Sequence, residues 1–80
     1  MLDIHWKPDR NNPTHLHIQI ANYIRSRISN GDWPIGFKIP SQRTLSEIFG
    51  VNRSTVVTAI EELISIGILS SNYGGGTEVV

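Results

Sequence analysis

Eighty residues suffice for one small domain, with only about 60% of the unfolded surface buried on folding. With seven cations, seven anions and no cysteine, disulfides and thiolate metal sites are excluded, and a uniformly basic nucleic-acid binder is excluded too. No apolar run approaches the roughly 20 residues of a membrane span, and Met1–Trp6 lacks the basic-then-apolar pattern of a secretory leader, so a soluble, cytoplasmic protein is expected.

The charges are unevenly spread. Between Arg25 and Arg53 stand Arg25, Arg27, Lys38, Arg43 and Arg53 against only Asp32 and Glu47. The other acids lie toward the two ends. A basic middle with acidic flanks is an asymmetry that phosphates can use.

Residues 1–13 read as an extended arm, because Pro8, Pro13 and the Asn11-Asn12 pair oppose a helix. Trp6 is expected to anchor the arm by packing. A domain over 14–80 follows. Its first helix spans 14–30, where Leu16, Ile20, Ile24 and Ile28 make one apolar stripe. Thr14 is the expected N-cap and Asn30-Gly31 the stop. Arg25 and Arg27 in its last turn suit the helix dipole.

Residues 31–36 read as a turn, and Phe37-Lys38-Ile39 alternates as a short edge strand stopped by Pro40. Ser41 caps a second helix to residue 49, with Leu45, Ile48 and Phe49 inward; Gly50 ends it. A third helix runs from Asn52, its expected side-chain cap, to about Ile66, with Gly67 beyond. Val56, Ala59, Ile60 and Leu63 face inward, while Ser54, Thr58, Glu61 and Ser65 face the other way. Residues 68–71 and 77–80 read as two strands joined by Asn72-Tyr73-Gly74-Gly75-Gly76, whose glycines allow positive φ and close approach of another molecule. The predicted fold is mainly α with a small β wing, a three-helix winged helix-turn-helix.

The chain resembles the GntR family of bacterial transcription regulators over nearly its whole length. The family's order of short motifs recurs as Gly31-Asp32-Trp33-Pro34-Ile35-Gly36-Phe37-Lys38-Ile39-Pro40-Ser41-Gln42-Arg43-Thr44-Leu45, then Gly50-Val51-Asn52-Arg53-Ser54-Thr55-Val56, then Gly74-Gly75-Gly76-Thr77. Trp6-Lys7-Pro8-Asp9-Arg10 and Asn52–Val57 resemble the MocR-like branch, whose members fuse this head to an aminotransferase-like domain that binds pyridoxal phosphate. The chain ends where the wing ends and so reads as a fragment. No cofactor is expected within it, and pyridoxal phosphate is implied only for a C-terminal domain not included in it.

The resemblance implies double-stranded DNA as partner, with the third helix in the major groove and the wing on the backbone. It places Arg53 as a base-reading residue, since arginine binds guanine bidentately. It places Arg43 on a phosphate or base, and Tyr73 and Gly74 on the backbone. Asn52, Ser54 and Thr55 offer amide, hydroxyl and N–H groups at a helix N-terminus, which suits phosphate, although capping would account for Asn52 alone. Lys38 is a further candidate contact. Two positions depart from the family: Val57 stands where many relatives carry a DNA-touching arginine, and His17 where tyrosine is usual. The isolated head is expected to be monomeric and the full-length regulator a homodimer.

No nucleophile–base pair or Walker pattern occurs, so no enzyme activity is expected. His15 and His17, two apart on a helix, should diverge by about 200° and bind no metal jointly. The competing reading is a winged helix used for protein–protein contact. Such a face would carry large apolar anchors outward on the third helix; the residues there are Ser54, Thr58, Glu61 and Ser65.

Overall fold

The computed structural model of the chain describes residues 4–72 and 76–80. Three helices, α1 (Leu16–Ser29), α2 (Gln42–Phe49) and α3 (Arg53–Ser65), precede two strands, β1 (Leu69–Asn72) and β2 (Gly76–Val79). The architecture is the expected winged helix-turn-helix.

The apolar stripes read from the sequence form the core. Ile20 and Ile24 of α1, Leu45 and Phe49 of α2, and Val56, Ala59, Ile60 and Leu63 of α3 are buried against one another. Each large side chain removed from water in this way contributes about 1.5–3 kcal/mol. Leu69 and Val79, paired across β1 and β2, fasten the sheet to the same core.

α1 begins later than the Thr14 cap would give, because Thr14 is otherwise engaged. Its N–H donates to Asn12 Oδ1 at 2.9 Å, and its carbonyl accepts from Gln19 Nε2 at 2.8 Å. Asn12 thus makes a local side-chain turn that competes with helix initiation. His15 becomes the N-cap, with no side-chain cap bond. Being outside the helix, it does not diverge from His17: the two rings stack with centroids 5.7 Å apart. The expected angular separation therefore fails.

Trp33 is the other departure. The sequence places it in a turn, yet it is 2% exposed and stacks on Phe37 at 5.3 Å. The turn folds back under α1, where Asp32 and Trp33 N–H groups both donate to the Arg27 carbonyl. Arg27 itself lies over the Tyr23 and Trp33 rings, at 5.8 and 5.7 Å from their centroids, and 3.8 Å from Asp32. Its place is thus structural, at the C-terminal end of α1.

The expected edge strand at 37–39 takes the form of a single antiparallel bridge, Lys38 to Glu78, on the far side of β2 from β1. Gly36 and Ile39 N–H groups donate to Val79 and Thr77 carbonyls, and Val79 N–H donates back to Phe37. Pro40 has no N–H with which to continue the ladder. The hairpin keeps the register that the expected strands 68–71 and 77–80 give, with Leu69 opposite Val79, but both strands lie one residue nearer the tip, at 69–72 and 76–79. Ile68 N–H closes the end of α3 on the Leu63 carbonyl, while its own carbonyl accepts from Val80 N–H.

Candidate nucleic-acid interface

Two turns of the chain set the geometry of the helix pair. Ser41 Oγ accepts from Thr44 N–H at 3.1 Å, which satisfies an orphan amide and starts α2. Gly50, at φ +67°, ends α2 and donates its N–H to the Ser46 carbonyl. A side chain there would be strained by φ alone, since nothing lies within 4 Å of where its Cβ would stand. The left-handed turn lets α3 start within three residues.

Asn52 is the N-cap of α3 in extended backbone, but its side chain makes no cap bond. The capping role read from the sequence is therefore not realised. The exposed face of α3 carries Ser54, Thr58, Glu61 and Ser65 as expected. Thr58 Oγ1 donates to the Ser54 carbonyl at 3.0 Å, so this hydroxyl hydrogen is directed along its own helix. At the later part of α3, Glu62 Oε1 lies 2.8 Å from His17 Nδ1 of α1, close in distance but off the line of a hydrogen bond.

An open cleft lies between the start of α2, the start of α3 and the wing. Arg43 and Arg53 line it together with Pro40, Ser41 and Gln42 on one side and Ser71, Asn72, Gly76 and Thr77 on the other. Arg43 and Arg53, ten positions apart in sequence, thus meet one wall of a single groove. Both are exposed and neither pairs with a carboxylate among the described residues. Asn52, Ser54 and Thr55 occupy the start of α3 beside the cleft without lining it. Lys38 is not in it: it is exposed on the segment beside β2, opposite Glu78. Tyr73 and Gly74 lie outside the described residues.

Gln42, Ser71, Asn72 and Thr77 are cleft residues that the sequence reading did not single out. The signal available for Ser71 and Asn72 was their place as the last polar residues before the glycine run. The groove is polar and cationic, with hydroxyl and amide donors around two guanidiniums. That donor set suits phosphate oxygens and base edges.

A helix-turn-helix with a hairpin wing and a cationic cleft between them defines the class. Residues 16–79 match the bacterial regulatory proteins of the gntR family, and the chain belongs to that family. It is a regulator domain, not an enzyme. It is 53% identical over 75 residues to the uncharacterized HTH-type transcriptional regulator YisV of Bacillus subtilis, covering 94% of this chain and 16% of that protein. It is 39% identical over 67 residues to the HTH-type pyridoxine biosynthesis transcriptional regulator PdxR of Corynebacterium glutamicum, covering 84% of this chain and 15% of that one. The chain thus spans less than a fifth of these relatives. Among solved structures, the AraR DNA-binding domain in complex with operator ORR3 superposes with a TM-score of 0.78 at 34% identity, covering 98% of this chain and 96% of that one. Among the described residues, no helix is long and apolar enough to cross a membrane.

Proposed function

We propose that this chain binds double-stranded DNA in a sequence-specific manner as the reading head of a bacterial transcription regulator. In this reading α3 enters the major groove and the wing follows the backbone. The observation that carries it is the cleft in which Arg43 and Arg53 converge beside the polar wing residues. The complexes of the AraR DNA-binding domain with its operators support the same partner. Within the cleft, Arg53 reads a base and Arg43 holds a phosphate or base. Asn52, Ser54 and Thr55 add contacts at the start of α3, and Tyr73 and Gly74 do so at the wing. Lys38 is a weaker candidate, as it stands apart from the cleft.

The chain divides functionally into the arm, residues 1–13, and the DNA-reading domain, residues 14–80. The relationship to PdxR, together with the Trp6-Lys7-Pro8-Asp9-Arg10 motif, favours the MocR-like branch, with pyridoxal phosphate in a C-terminal domain of the full-length regulator. The described residues do not fit that cofactor. Lys7 and Lys38 are the only lysines, and both are exposed, so no enclosed amine is available for a Schiff base. The full-length regulator acts as a homodimer in the cytoplasm, and the isolated head is monomeric.

Selection of bound sequences from random duplex DNA tests the function directly. Enrichment of one motif is expected from the 80-residue chain, and the same motif relaxed at one base pair is expected from Arg53→Ala. Recovery of the starting pool without enrichment would overturn the reading.

A further inference from the structure

Arg10 lies outside both the family-matched segment 16–79 and the cleft. Its Nη2 donates to the Gly50 carbonyl at 2.6 Å, the residue between α2 and α3. The segment carrying it is held in place. Asp9 N–H donates to Gln19 Oε1 at 2.8 Å, and Gln19 Nε2 donates back to the Asp9 carbonyl at 3.0 Å. The neighbouring carboxylate is engaged locally, as Asp9 Oδ1 accepts from Asn11 N–H at 2.9 Å. A guanidinium has five N–H donors. Arg10 is exposed, and no carboxylate pairs with it among the described residues. One hydrogen bond therefore fixes the side chain and leaves donors over.

We propose that Arg10 is a second backbone-phosphate contact, on the bank of the major groove opposite the one met by Arg43 and the wing. The inference rests on the DNA-binding reading above. Arg43 stands in the first turn of α2, and Arg10 is tied to the residue just past its end. At 1.5 Å per residue the two ends are about 10 Å apart. The major groove is about 12 Å wide. The two helix ends that carry these cations adjoin the start of α3, the end that leads into the groove: Arg43 lines the cleft with Arg53, and Gly50 lies three residues before α3. Arginine suits the role because its planar fork binds two phosphate oxygens at once. Pinning one N–H to Gly50 lowers the entropy lost when the rest engage.

The test is the salt dependence of binding to a random-sequence duplex by the whole 80-residue chain, compared with Arg10→Gln and Arg10→Lys. Glutamine keeps an amide donor for the Gly50 carbonyl but removes the charge. Loss of one phosphate contact should flatten the slope of log K against log salt by about 0.9. Arg10→Lys should keep the slope, and the motif selected from random DNA should be the same for all three. Thermal melting of each variant separates the two roles. A lowered melting temperature with the wild-type slope makes Arg10 a structural staple only and overturns the proposal. So does an unchanged slope with unchanged stability. Failure of the wild-type chain to bind any duplex at low salt would instead remove the DNA reading itself, and this proposal with it.

Discussion

Trp6 lies flat on Tyr23, with ring centroids 4.4 Å apart and planes within 4° of parallel, and it meets Phe49 edge-on at 5.5 Å. One arm residue thus bridges α1 and α2. Stacked and T-shaped pairs add about 0.5–1.5 kcal/mol beyond area burial. The arm is therefore part of the cooperative unit. Trp6→Ala should cost about 2–3 kcal/mol, below the about 3–5 kcal/mol of a fully buried aromatic because the indole is only partly buried. Urea titration followed by circular dichroism measures this. A wild-type midpoint would mean that the arm is not coupled to the helices.

The two helix caps should behave differently. Ser41 Oγ accepts the Thr44 amide, whereas the Asn52 side chain caps nothing. Ser41→Ala should destabilise the domain by about 1 kcal/mol. Asn52→Ala should stay within about 0.5 kcal/mol of wild type. Asn52 is nevertheless exposed at the start of α3 and remains a proposed DNA contact. Its substitution should weaken DNA binding with the melting temperature preserved. Equal destabilisation by the two substitutions would contradict this assignment.

What the sequence made legible follows from period and punctuation. The i, i+4 stripe of α1, the inward set of α3 and the glycine stops at Gly50 and Gly67 each express local physics that a single sequence carries. Trp33 was not legible, because its burial depends on the 31–36 turn folding beneath α1, a contact with no periodic signature. The start of α1 was misplaced for a similar reason: Asn12 and Gln19 compete for Thr14 through side-chain bonds that leave no pattern. At the candidate site, Arg43 and Arg53 were recognisable by motif. Gln42, Ser71 and Asn72 became cleft residues only once the wing was placed against α2. Arg10 was quoted only as part of an arm motif, since its tie to Gly50 spans 40 positions.

The cleft arginines predict separable effects on DNA binding. Arg53→Ala should cost about 1–3 kcal/mol in specific binding and relax preference at one base pair. Unchanged affinity together with unchanged preference in a titration would count against a base contact. Contact with about 4–6 phosphates by the head should give a slope of log K against log salt of roughly −4 to −5. A flat dependence would favour a protein-binding role for the winged helix.

The last prediction concerns assembly. The exposed face of α3 is Ser54, Thr58, Glu61 and Ser65, with no apolar anchor among them. Among the described residues, the large hydrophobics that are exposed lie elsewhere: Ile35 in the turn before the bridge, Ile66 at the end of α3, and Val80 after β2. The reading face is therefore poorly suited to self-association, and the 80-residue chain should sediment as a monomer at micromolar concentration. A single head should hold one half-site weakly, because it lacks the effective-concentration gain of a linked pair. Joining two copies through an added dimeric coiled coil should raise affinity for a two-half-site duplex by about 10²–10⁴-fold. The gain should vary with half-site spacing, since both α3 helices must meet the major groove on compatible faces of the duplex, about 34–36 Å apart for one helical turn. A tight dimer of the bare chain in sedimentation would contradict the first expectation. A tethered pair no tighter than one head at every spacing would contradict the second, and would mean that the cleft and α3 do not read the two half-sites together.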